Sequence, residues 1–372
     1  MAYTTDVADD RERGSVTLRI SELLKLSQPQ GPAKEPGTLV VPTDTQRPPT
    51  ARATPSFPSF CSHASSPNTE SFPTDEAKRS AALYAELLAE AQRCMTEAQH
   101  EQRFALGEVP ALVEQAVHRL LNNDPELLRL STTGPGTFSL AHHGVNVAIL
   151  AVRVGIERGE QPASLVDLGV AALLHDIGMV TMSHLVEAPQ RLGAEQRAGI
   201  HEHPVVSHRL VERCVGLPSV VRTVIAQEHE REDGSGYPQR LRGRDIHDHA
   251  QVLGLLDIYE SLTHERPYRP RLVPSDAMRT ILREHRFAFR APVLRAFLDA
   301  IPIFPVASWV QLDTGELAKV VATDRANPLA PTVTILINQR GKPRARPETV
   351  NLAAEQRVSI VRAVPEPINF AP

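Results

Sequence analysis

From Thr74 onwards, short polar breaks separate runs in which apolar residues recur every three or four positions. "DEAKRSAALYAELLAEAQRCM" opens the series. Thr74 or Asp75 offers a side-chain oxygen to cap it, and acidic residues fill its first turn. "VPALVEQAVHRLL", "HHGVNVAILAVRVGI", "ASLVDLGVAALLHDIG", "HPVVSHRLVERCV", "PSVVRTVIAQEHE", "HAQVLGLLDIYESLT", "PSDAMRTILREH" and "APVLRAFLDAI" come after it. Each gathers its apolar positions on one face of a helical period, so residues 74–303 predict a bundle of helices around a shared core. Past Pro305 the period changes to two. In "TVTILI", Val333, Ile335 and Ile337 alternate with Thr332, Thr334 and Leu336, while "DTGE" and "QRGK" mark turns. Residues 304–372 therefore predict a small β-rich domain, a structural cap rather than a ligand site. Residues 1–73 fit neither pattern. "VTLRISELLKL" (residues 16–26) suits a short amphipathic helix or a strand with one turn, and Pro, Ser and Thr dominate residues 27–73. Prolines remove backbone donors and restrict the preceding residue, so this segment predicts a disordered or extended linker. The expected fold class is mainly α.

Composition narrows the function classes. The 372 residues are 41% hydrophobic with a mean hydropathy of -0.22, which describes a soluble protein. Forty basic residues against 44 acidic ones give a net charge of -4, so no DNA-binding surface is expected. No run approaches the ~18 apolar residues of a membrane span. "MAYTTDVADDRERG" lacks the apolar stretch of a secretory signal. Cys61, Cys94 and Cys214 are too scattered for a disulfide framework, which suits a reducing cytoplasm.

Fifteen histidines change the picture, because many fall between positions 142 and 264. His175 and Asp176 close the apolar run "LGVAALL". Upstream, His142 and His143 open a helix; downstream come His203, His229 and Asp257, each on or beside an expected helix. Singly, each is more readily a cap or surface residue. Together they offer imidazole and carboxylate donors and no thiolate, a set that suits iron, manganese or zinc. They are too many for one tetrahedral site and suit two metals sharing a carboxylate, with Asp176 as the natural bridge.

The ordered set "HHGVNVA", "LLHDIG", "HP", "HEREDGSGYP", "LRGRDI", "LLDIYESLT" and "RPYR" resembles the HD-GYP family of HD-domain phosphohydrolases, over about residues 138–270. The resemblance implies an HD-type helical bundle and a cyclic di-GMP phosphodiesterase giving pGpG or GMP. It implies two divalent ions, iron or manganese, and a cyclic dinucleotide partner, and it admits signalling-protein partners. It assigns metal-ligand roles to His143, His175, Asp176, His203, Glu228, His229 and Asp257, with Asp176 as the catalytic bridge. Asp233, Gly234, Gly236, Tyr237 and Pro238 form the loop beside the substrate, and Arg266 and Arg269 match phosphate-binding positions. Three positions depart from the family: Met179 replaces a lysine, Glu228 replaces a histidine, and Ser139 stands where members with a third metal carry glutamate. The alternative is a degenerate module that binds nucleotide or partner without hydrolysis. An HD hydrolase for another nucleotide is a third reading.

Overall fold

A computed structural model describes residues 74–101, 103–133, 139–182, 193–266, 269–355 and 357–367. The short helix or strand expected at residues 16–26, the linker, Pro267 and Tyr268 lie outside the described residues. Helices run over α1 Asp75–Glu101, α2 Val109–Leu121, α3 Pro125–Thr133, α4 Leu140–Glu157 and α5 Pro162–Leu174. A 3-10 segment, His175–Met182, continues directly from α5. Beyond it lie α6 Ala194–Ile200, α7 His203–Glu212, α8 Ser219–Gln227, α9 Asp248–Thr263, α10 Pro274–Glu284 and α11 Ala291–Ala300. Thr74 does cap the first helix, its Oγ1 accepting from Ala77 N at 3.2 Å. Helices α3 and α6, both short, were not apparent in the pattern.

The one-face expectation fails for the two helices that matter most. In α4 every residue from His143 to Gly155 is buried, and in α9 every residue from His249 to Thr263. Helix α4 packs against α5, α9, α1, α3 and α11, which enclose it from His143 to Gly155. A helix enclosed all round must bury its polar residues too. Here those residues include His143, Asn146, Asp257 and Glu260, and they face one another.

By length and composition, the stretch Pro162–Met182 could cross a membrane, with a mean hydropathy of 1.6. The sequence expectation missed it because the 3-10 segment extends α5 without a break. It is a core element: 78% of its most apolar window is buried inside the fold.

Five antiparallel strands complete the described chain, β1 Trp309–Leu312, β2 Leu317–Ala322, β3 Thr332–Ile337, β4 Pro343–Asn351 and β5 Ile360–Val364, in the order β4-β3-β2-β1-β5. The two-residue period holds, with Val333, Ile335 and Ile337 buried on β3. Val310, Leu312, Val320 and Ile335 join the same apolar cluster as the helices. A cavity of about 270 Å³ remains between α9 and the sheet, lined by Tyr259, Thr263, Trp309, Lys319 and Glu366. Tyr259 packs edge-on against Phe297 and its hydroxyl has no hydrogen-bond partner among the described residues.

Candidate metal centre

Two close approaches assemble the site. Gly144 on α4 lies against α5, where a Cβ would stand 2.6 Å from the Leu173 carbonyl oxygen, so His143 reaches the level of His175. Gly178 in the 3-10 segment lies against α7, where a Cβ would stand 2.6 Å from Ser207 N and 2.7 Å from His203 O. Only glycine permits either contact. The expected ligands therefore converge from α4, the 3-10 segment, α7, the end of α8 and α9, all of them buried.

Their donor atoms form two groups, His143 with His175 and Asp257, and His203 with Glu228 and His229. Asp176 stands between the groups. Its Oδ2 is 3.6 Å from both His143 Nε2 and His175 Nε2, and its Oδ1 is 3.2 Å from His203 Nε2. His143 Nε2 is also 3.2 Å from Asp257 Oδ1, and the Nε2 atoms of His203 and His229 are 3.1 Å apart.

The ring tautomers decide what these contacts are. His175 Nδ1 donates to Ala172 O and His203 Nδ1 to Ile200 O, each at 2.7 Å. A carbonyl can only accept, so both Nε2 atoms present lone pairs. His143 Nδ1 is held by Glu260, which likewise turns its Nε2 inward. Lone pairs thus face carboxylate oxygens, an arrangement that several buried acceptors sustain only around cations. With metal–ligand bonds of ~2.0–2.2 Å, neighbouring donors on one ion lie about 3 Å apart and opposed ones about 4 Å. The observed contacts fall in that interval, so the residues fit divalent cations.

Acid–base behaviour tells the same story. Burial alone would lower His143, but Glu260 and Asp257 hold it up at about 10. Burial pushes Glu228 up to about 8, reinforced by Asp176 and Asp257 and opposed by His175. Burial also opposes ionisation of Asp257, yet His143 and His229 keep it well below the usual carboxylate range. Both upward shifts report how densely carboxylates crowd the centre.

Around the donors lies a shell that the sequence pattern did not reveal. Tyr84 Oη donates to Asn146 Oδ1 at 2.7 Å, and Asn146 Nδ2 donates to Glu260 Oε1 at 3.0 Å. Arg266 Nη2 donates to Glu260 Oε2 at 3.2 Å. Helical spacing held the clue: Asn146 follows His143, and Glu260 follows Asp257, by three positions on one face. The glycine-rich loop is held by Glu230, whose oxygens accept from Gln239 N at 2.6 Å and Leu241 N at 2.8 Å. Gly236 is wedged on the backbone, where a Cβ would stand 2.4 Å from His229 O. Tyr237, joined to Pro238 by a cis bond, stacks between His229 at 4.6 Å and His201 at 4.3 Å. Asp233 closes a small turn at the rim by accepting from Ser235 N, and Gly234 takes a φ of 77° there.

Arg269 donates to Leu262 O and Pro270 O, capping the end of α9. Ser139 is the N-cap of α4, its Oγ accepting from His142 N at 3.2 Å. Met179 is buried.

Comparison with known proteins agrees with this geometry. An HD domain matches residues 115–288, and a KOW domain associated with HD domains matches residues 309–367. A cyclic di-GMP phosphodiesterase of Pseudomonas aeruginosa is 30% identical over 250 residues, covering 66% of this chain and 58% of the relative. The HD-domain match and this relative together support an HD-GYP family member. A second relative, the cyclic di-GMP phosphodiesterase PdeB of Borreliella burgdorferi, is 28% identical over 196 residues, 52% of each chain. The chain thus spans between half and three-fifths of these relatives' lengths. A solved HDG"Y"P protein from Bdellovibrio bacteriovorus shares the fold, with a TM-score of 0.51, 18% identity and coverage of 62% of this chain and 74% of that one. The KOW match places the β-rich segment as a recurrent companion of the HD domain.

Proposed function

We propose that this HD-GYP protein is a cytoplasmic phosphodiesterase that opens cyclic di-GMP to pGpG, and further to GMP, with two divalent ions of iron or manganese. The observation that carries the reading is the convergence of orientation-locked imidazole lone pairs and three carboxylates beside the GYP loop. His143, His175 and Asp257 would hold one ion, His203, Glu228 and His229 the other, and Asp176 both. Bound there, two such ions supply charge neutralisation at a phosphate and water acidic enough to attack at neutral pH.

The chain's own groups do the remaining work. Glu260 and the Ala172 and Ile200 carbonyls keep His143, His175 and His203 turned inward. The Tyr237 stack sets one wall of the site, and Glu230 keeps the loop from opening. Arg266, held by Glu260, stands beside His143 with a guanidinium suited to phosphate oxygens.

A second reading, a module that binds the cyclic dinucleotide without opening it, is favoured by Met179 and Glu228. The family's lysine would add charge stabilisation that methionine cannot. The deciding experiment loads the purified chain anaerobically with iron or manganese, adds cyclic di-GMP and follows pGpG chromatographically. Turnover is expected. Bound metals and bound nucleotide without product would establish the second reading. Met179→Lys is expected to raise kcat in a hydrolase and to leave a binding module silent.

A further inference from the structure

Two carboxylates at the centre divide their oxygens between the two donor groups, and only one of them was anticipated to do so. Asp176 is the first. Glu228 is the second: its Oε1 is 3.1 Å from His203 Nε2 and 3.7 Å from His229 Nε2, while its Oε2 is 3.9 Å from His175 Nε2 in the other group. Oε2 has no hydrogen-bond partner among the described residues, and neither has His175 Nε2. Both atoms are fully enclosed.

We propose that Glu228 is a second bridging carboxylate, spanning both cation positions alongside Asp176, and not a one-ion substitute for an imidazole. The proposal rests on the two-ion reading and states what this chain does differently within it. An imidazole whose other nitrogen is engaged offers a single lone pair and serves one ion; a carboxylate offers an oxygen to each. The backbone holds Glu228 in place for this. Its carbonyl oxygen accepts from Arg231 Nη1 at 2.9 Å and lies against Gly254, where a Cβ would stand 2.1 Å away. The side chain therefore starts from a fixed point between the groups.

Charge follows from composition. Two divalent ions bring four positive charges, and Asp176, Glu228 and Asp257 cancel three of them, where a histidine at 228 would leave two uncancelled. The shell also gains oxygen at the expense of nitrogen, which favours manganese relative to zinc.

The test is a calorimetric titration of the metal-stripped full chain with manganese chloride. Asp176→Asn serves as the reference for a ligand shared by both ions and His229→Ala as the reference for a ligand of one. Glu228→Gln keeps the shape and removes the charge. It should weaken both binding steps by at least ~10-fold, the lower bound for losing even an outer-shell partner, the pattern expected of Asp176→Asn. Weakening of one step only, as with His229→Ala, would overturn the bridge while leaving two ions in place. A wild-type chain that takes up a single ion overturns the two-ion reading and the bridge together. Nucleotide hydrolysis is not read, so failure as a phosphodiesterase leaves the result intact. Should Glu228→Gln not fold, as judged by far-UV circular dichroism, Glu228→His supplies the second measurement. In equimolar competition, metal analysis should show its zinc-to-manganese ratio shifted upward from wild type; an unchanged ratio counts against the bridge.

Discussion

Glu260 takes no place in either donor group, yet it fixes the orientation of His143 and gathers Asn146, His264 and Arg266 around itself. Outer-shell carboxylates of this type govern metal affinity through the ring they orient. Glu260→Gln keeps the shape and removes the charge. Manganese affinity and turnover are expected to fall about 10–100-fold with an unchanged far-UV dichroism spectrum, which a titration beside a steady-state assay would check. Equal affinity in the variant would show that the ring is oriented by packing alone. The ligands themselves were legible in the sequence, because imidazole and carboxylate are scarce inside apolar helices and their order along the chain is distinctive. Glu260 and Asn146 were not, since their value depends on which helix each one faces. Glu228 was legible as a departure, but its two-sided placement emerges only when α7 and the 3-10 segment are brought together.

Between elements, the close contacts are the sensitive points. Gly178→Ala would drive a methyl group into Ser207 and His203 and part α7 from the 3-10 segment. The expected result is loss of the second metal step and a lower Tm, whereas alanine at the open Gly159 turn meets nothing within 4 Å and disturbs neither metal step. A second joint ties the α4–α5 corner to the start of α9. Glu160 accepts from His249 at 2.6 Å and from Arg158 at 2.9 Å, and Arg158 reaches Asp248 at 2.9 Å. Burial opposes its ionisation, but His249 and Arg158 lower it from the ordinary 4.5 to about 2. A carboxyl depressed in the folded state stabilises it above the ordinary value, and that contribution fades as pH falls from 4.5 through about 2. Thermal melts should show Glu160→Gln below wild type at neutral pH, with the gap closing towards pH 2. A gap that does not change with pH would remove Glu160 from the account. The helices and their order were readable from periodicity. Their all-round burial was not, because a polar residue that faces another helix looks the same in sequence as one that faces water. The 3-10 segment was hidden too, since its apolar residues continue the pattern of α5 without a break.

Across the whole molecule, the sheet shares one apolar cluster with the helices. A chain ending at residue 304 would expose the surface that Val310, Leu312 and Val320 cover, each buried side chain of this kind contributing ~1.5–3 kcal/mol. Such a chain is expected to melt lower and to self-associate, as calorimetry and light scattering would reveal; a monodisperse truncation with an unchanged Tm would mean that the sheet adds nothing to the bundle. The two-residue period announced this β segment clearly, and nothing in it announced the cavity behind α9, which arises only where sheet and helix meet. That cavity gives α9 two loads. Residues two apart on a helix point about 200° away from each other, so Asp257 aims at the histidines while Tyr259 aims at the space beneath Trp309. The helix therefore borders the donor groups on one side and the cavity on the other.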